Sequence, residues 1–216
     1  MSGAPLERLL GIETLSIEAL LLGLATDLGS ASIWPSRSRI DELAARLDGI
    51  GRDPAEQLHA LGKRVAGSFT HAKDSLRRAD FDDLRPEKVL LSGAGDDMLI
   101  AAIVAAAGQR HGWSVSVVSG SRPFVAHRGL SHPLLVCPQA HGRLLDGHRL
   151  GETGLRWRCA HEVAGCLLDR LDARGERLGQ RALVARAREL AMALPLAHPE
   201  LAARELELAR ARASWN

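Results

Sequence analysis

The sequence predicts an α+β fold in which a compact mixed region sits between two helical flanks. Three observations carry that expectation. A glycine turn opens a long apolar helix in GAGDDMLIAAIVAAAGQRHG, the strand-like segments SVSVVSG, HPLLVC and RLLDGHRL follow it, and apolar residues recur at helical spacing before Arg64 and after Leu155. With 216 residues the chain is long enough for one sizeable core with helical additions at its ends. The expected organisation is a helical region over 1–80, the mixed core over 81–154 and a second helical region over 155–216.

From Thr14 to about Leu28, the run Leu15, Ile17, Leu20, Leu21, Leu22 and Leu24 reads as a helix, with Thr14 or Ser16 as its cap. GSASIWPSRSR is polar and serine-rich, and it is read as a loop. IDELAARLDGI and AEQLHALGKRV again show helical spacing, interrupted by GIGRDP, whose Pro54 suits a first helical turn. After a turn-rich stretch over Phe81–Pro86, VLLSGAG leads to the central helix, expected from about Asp96 to Arg110. Gly112 can adopt the left-handed conformation that stops it. SVSVVSG alternates with period two and is β-branched, so it is a strand. HPLLVC and RLLDGHRL form a hairpin closed by PQAHG. The tail is helical through CAHEVAGCLLDRLDARG, RALVARARELAMALP and AHPELAARELELARARA, and resembles tetratricopeptide-like helical hairpins without the full repeat signature.

Composition narrows the function. The chain has 28 basic and 26 acidic residues, a balance that gives no electrostatic reason to expect nucleic acid or a membrane surface as partner. The longest apolar runs fall short of a membrane span, and the acidic residues in MSGAPLERLLGIETLS interrupt what a signal peptide needs. Three cysteines without a regular framework suggest reduced thiols, so a cytoplasmic location is expected. No cofactor is expected. The glycines around Gly93 and Gly95 lack the Lys-Ser/Thr ending of a phosphate loop, and His161-Glu162 lacks the second histidine of a zincin helix.

The chemistry-bearing residues cluster around the central helix and the hairpin. Folding the hairpin about Gln139 sets His132 opposite Asp146 on one face, so that an acid can orient an imidazole. A register shift of two would put His148 there instead. His132 is the candidate base, because an imidazole near its ordinary pKa exchanges protons at neutral pH. His127, in RPFVAHRGLSH, competes for that role. Cys137 has the opposite strand parity to His132 and is expected to be buried filler, while Cys159 and Cys166, seven apart, are expected to pack on one helix face.

GAGDDMLIAAIVAAAGQRHGWSVSVVSG followed by SHPLLVCPQAHGRLLDGHRLG resembles the transglutaminase-like core of the papain-like fold, and especially its SirB-type branch. That resemblance implies a helix packed on a small antiparallel sheet, with a nucleophile at the helix start facing a histidine and an acid on neighbouring strands. Ser131-His132 stands where Gly-His is expected, and Leu145-Asp146-Gly147 where the final acid is expected. The cysteine is missing: helix length places Asp97 at its position, whereas the neighbouring acidic pair places Gly95 there. Members of the branch often lack it too.

The resemblance therefore implies Asp97, His132 and Asp146 as catalytic candidates, with Gly95, Asp96, His127 and Ser131 lining a substrate site and no metal. An Asp, His and Asp set suits manganese or iron as a lesser option. Acids in a first helical turn are also favoured by roughly 0.3–1 kcal/mol each with no other role. Two functions follow as expectations. One is acid-base or acyl-transfer chemistry on an amide or acyl substrate. The other is a noncatalytic module that binds a peptide or small metabolite in the old cleft and a protein through its C-terminal helices.

Overall fold

The computed structural model describes residues 6–12, 14–72, 80–149 and 155–195. The N-terminal flank holds α1 (Leu6–Leu10), α2 (Ile17–Asp27), α3 (Trp34–Ala45) and α4 (Pro54–Ala60), the last running into a π-helical turn over Leu61–Val65. Capping is local: Ser16 accepts from the Ala19 N–H at 3.1 Å, and Asp53 accepts from the Glu56 N–H at 3.0 Å ahead of Pro54. The helix α3 corrects the expected loop, because WPSRSR forms its first half. Pro35 sits in the first turn, where a missing N–H costs nothing, so serine and proline mark a start rather than a gap.

A two-residue parallel bridge of β1 (Thr70–His71) with β2 (Ala94–Gly95) precedes the central helix, and α5 (Pro86–Ser92) lies between those strands in sequence. The helix α6 (Asp97–Arg110) starts on Asp96 as cap and stops at His111, with Gly112 at φ 86°. Every residue from Met98 to Gly108 is buried, as an all-round apolar helix requires.

The sheet packed on it is five-stranded and antiparallel, ordered β6 (Arg143–Asp146), β5 (Leu134–Cys137), β4 (Pro123–His127), β3 (Val115–Ser119), β7 (Arg156–Trp157). Strand β4 was not expected. Its residues are all buried, so it lacks the alternation that reveals a half-exposed strand, and its proline stands at the first position, where a ladder tolerates it. Val115, Val117, Val125 and Val136 join the main core with α6, whereas Val118, Phe124, Ala126, Leu135 and Cys137 form a smaller cluster on the other face. Cys137 is thus buried filler, as its parity implies.

The C-terminal flank is an antiparallel pair, α7 (Ala160–Leu178) and α8 (Arg181–Met192). One continuous core reaches from Leu6 to Leu194 and includes residues of all three sequence regions. The segment AHPELAARELELARARA lies outside the described residues. Cys159 does not share a helix face with Cys166. It is the cap residue of α7, exposed and outside the helix, because Glu162 reaches back to its N–H at 3.0 Å and fixes the boundary there.

The hairpin corrects the expected register. Leu134 pairs with Asp146 and Cys137 with Arg143, so the turn centres on Ala140 instead of Gln139 and the ladder shifts by two. The cause is a five-residue turn, a 3-10 turn over Pro138–Ala140 followed by His141 and Gly142, both left-handed. Gly142 also presses against Gly62 in the π-helical turn, and a Cβ on either would overlap the other's carbonyl. Gly142→Ala therefore combines overpacking with positive-φ strain, and a loss of roughly 2–5 kcal/mol is expected in urea unfolding. A Gly112→Ala control, with open space around its Cα, should lose less.

Candidate functional site

The start of α6 is the position at which a nucleophile was expected. Gly95 is buried against Val89, whose side chain would clash with any Cβ there, so this glycine serves close packing. Asp96 caps the helix, accepting from the Met98 and Leu99 N–H groups at 2.9 and 3.4 Å. Its other oxygen takes a hydrogen bond from Arg170 of α7, which also donates to Asp97 Oδ1 at 2.6 Å. Asp97 Oδ2 accepts from the Gln139 side-chain amide, and Gln139 in turn accepts from Arg122 at 3.1 Å. Both carboxylate oxygens of Asp97 are therefore committed to neighbours within the protein.

Burial raises the Asp96 pKa above the ordinary carboxylate value; Arg170 opposes that rise and Asp97 adds to it. Burial works against the Arg170 charge as well, but the two carboxylates outweigh it and hold the guanidinium protonated. One turn further along α7, the buried Arg174 makes two hydrogen bonds to buried Asp83 at 2.7 and 3.0 Å and one to the Asp80 carbonyl at 2.8 Å. The Asp83 carbonyl accepts from the Asp96 N–H at 2.8 Å, so Arg170 and Arg174 brace the same helix start.

The histidines lie at the other end of the sheet. Gln139 follows the C-terminal end of β5 and His132 precedes its N-terminal end. The four residues of β5 therefore separate Asp97 from His132 by roughly 10–13 Å of strand. That corrects the expectation that Asp97 faces His132. The register likewise puts Leu134, not His132, directly opposite Asp146. Ser131 and His132 are exposed in the β4–β5 loop, while Asp146 stands opposite Leu134, accepts from the His148 N–H at 2.9 Å and lies 3.7 Å from Arg149.

His127 is buried at the end of β4 with both ring nitrogens engaged. Nδ1 accepts from the Gly129 N–H at 2.9 Å, which leaves the proton on Nε2 to donate to Gln57 Oε1 at 3.0 Å. The Gln57 amide donates onward to the Gly51 carbonyl at 2.9 Å. Burial lowers the His127 pKa, against a smaller opposing pull from Asp53. A depressed histidine favours the folded state above its unfolded pKa near 6.5 and loses that contribution as pH falls through the folded value. Chemical unfolding between pH 7.5 and 5 should show stability falling with acidification, and His127→Gln should flatten the slope.

His127, Ser131 and His132 do meet in one place. They border a cleft of about 200 Å³ with Leu130, Pro133, Leu134, Leu155 and Trp157. Trp157 is 39% exposed, and the Arg128 guanidinium lies 4.8 Å from its ring centroid. Of the seven candidate residues, Gly95, Asp96 and Asp97 share the α6 start, three border this cleft, and Asp146 stands beside it on the edge strand. Arg170, Gln139, Gln57 and Trp157 escaped the sequence reading. The signal for Arg170 was its i,i+4 spacing to Arg174, which places both on one face of α7.

Among the described residues no group of three or more His, Cys, Asp or Glu is placed to hold a metal ion, and no helix is long and apolar enough to cross a membrane. No protein-family model matches the chain, and neither does any curated protein or solved structure with which it was compared.

Proposed function

We propose that the chain is a transglutaminase-like protein without catalysis, a binding module whose cleft beside Trp157 accepts the apolar side chain of a peptide or small metabolite. The observation that carries this reading is the double engagement of Asp97 by Arg170 and Gln139 at the helix start. An ion-paired carboxylate is a poor nucleophile, and an attack would need a base within hydrogen-bond reach, whereas His132 lies a strand length away. His127 is equally unsuited to proton transfer, since both its nitrogens already serve Gln57 and Gly129.

The cleft has what a small binding site needs: apolar walls from Leu130, Leu134 and Leu155, an aromatic edge, and an exposed imidazole at the rim. Its size suits one side chain rather than a drug-sized molecule. Acetylated peptide amides bearing leucine or phenylalanine should perturb the Trp157 indole N–H signal saturably, and Leu130→Asp should abolish the perturbation. The same peptides, given with an amine acceptor, should yield no product above the buffer rate. Turnover that disappears in Asp97→Asn, His132→Asn and Asp146→Asn would overturn the reading in favour of acyl transfer.

A further inference from the structure

A second cleft, of about 530 Å³, lies between the first turns of α3 and the helix α5, on the opposite side of α6 in sequence from the strands that carry the histidines. Its lining includes Ser36, Arg39, Glu87, Lys88, Leu90 and Leu91. Two of these side chains are incompletely satisfied. Ser36 is 2% exposed and its hydroxyl has no hydrogen-bond partner, and Glu87 Oε2 is buried with none, although Glu87 Oε1 accepts from Arg85 at 2.7 Å. Buried polar atoms are ordinarily paired, so two orphans on facing elements of one cleft mark a place where a partner belongs.

The needs of the two atoms define that partner. Glu87 Oε2 requires a donor, best a cationic one, and the Ser36 hydroxyl can donate to an acceptor. Arg39 and exposed Lys88 set positive charge at the rim, although Arg39 is shared with Glu42 at 2.6 Å. Leu90 and the exposed Leu91 supply apolar surface beside the polar groups. Both orphan atoms are screened from bulk water at present. A ligand reaches them only when both side chains turn toward the lumen, a turn in which Glu87 gives up its Oε1 contact with Arg85.

We propose that this cleft binds a free α-amino acid with an apolar side chain. Its ammonium meets Glu87, its carboxylate meets Ser36 and Lys88, and its side chain lies on Leu90 and Leu91. No bond is made or broken. The site is separate from the cleft beside Trp157, and its occupancy does not depend on the reading given above.

The test is amide-resolved NMR titration of the full chain with leucine, methionine and phenylalanine, using glycine and the N-acetyl and methyl-ester derivatives as controls. Saturable shifts at Ser36, Lys88 and Leu91 are expected for the free amino acids, with the Trp157 indole unmoved. Blocking either charged end should weaken binding at least tenfold. Glu87→Gln should do the same, and Lys88→Met, at an exposed rim position with no bearing on folding, should weaken it several-fold. No saturable shift up to 10 mM, on the order of the weak end of specific binding, would overturn the proposal. So would shifts indifferent to both substitutions, and so would a high-resolution structure in amino-acid-soaked crystals with water alone between Ser36 and Glu87.

Discussion

Arg174→Ala is expected to destabilise the protein by about 3–5 kcal/mol, the cost of removing one partner from a buried ion pair. Arg174 is 3% exposed and Asp83 fully buried. The substitution takes two charge-assisted hydrogen bonds from a carboxylate that is wholly shut off from water. It also removes the donor to the Asp80 carbonyl. Urea unfolding at pH 7 measures the loss directly. The double substitution Asp83→Leu with Arg174→Met should recover a large part of it, because an apolar pair of similar volume carries no stranded charge. A loss under 1 kcal/mol in the single variant would mean that α7 does not depend on this pair for its seat.

Arg170→Ala should cost about 2–4 kcal/mol at pH 7, discounted because the arginine side chain is 35% exposed while Asp96 and Asp97 are 5% and 13% exposed. Its signature is a pH dependence. With the guanidinium gone, two neighbouring carboxylates lose their shared counter-charge, and the Asp96 pKa, already raised by burial, rises further. The folded state then binds more protons than the unfolded chain between the unfolded value near 3.8 and the new folded value. Stability falls as pH rises through that window and is regained on acidification. The deficit of Arg170→Ala relative to the parent should therefore shrink between pH 7 and pH 5. Placing Asp96→Asn and Asp97→Asn on the Arg170→Ala background should remove the dependence, since the asparagine at the cap still accepts from the Met98 N–H.

These two arginines also show where sequence reading stops. The central helix and its Gly112 stop were legible because the signals lie within a few residues of the feature, and the same holds for Ser16, for Pro54 and for the alternating strand β3. The strand β4 was not, since burial on both faces erases the period that identifies a strand. The hairpin was found but its turn was misplaced by one residue. The left-handed His141 and Gly142, pressed against Gly62, belong to a tertiary contact invisible in PQAHG alone. A displacement of one residue in the turn moves the pairing by two, and Leu134 then takes the place opposite Asp146 that was expected of His132.

The site failed for a related reason. Asp97 and the hairpin were correctly taken as neighbours, but the wrong end of the hairpin was placed against the helix. The group that meets Asp97 is Gln139 in the turn, and the cation that completes the arrangement comes from Arg170, 73 residues away in sequence. No periodicity carries that distance. The resemblance to the transglutaminase-like core supplied an expected order of groups along the chain, and three-dimensional convergence was the added step that the geometry does not support.

Whether anything reacts at the start of α6 decides between binding and catalysis. The most direct test is a side-by-side measurement on one sample, following the Trp157 indole N–H and product formation together as a leucine-bearing acyl peptide amide and an amine acceptor are added. The expected result is a saturating Trp157 shift with no product, unchanged in Asp97→Asn. Product that accumulates with the parent chain and vanishes in Asp97→Asn would contradict it, and would make the Arg170-bound carboxylate a working group of an enzyme.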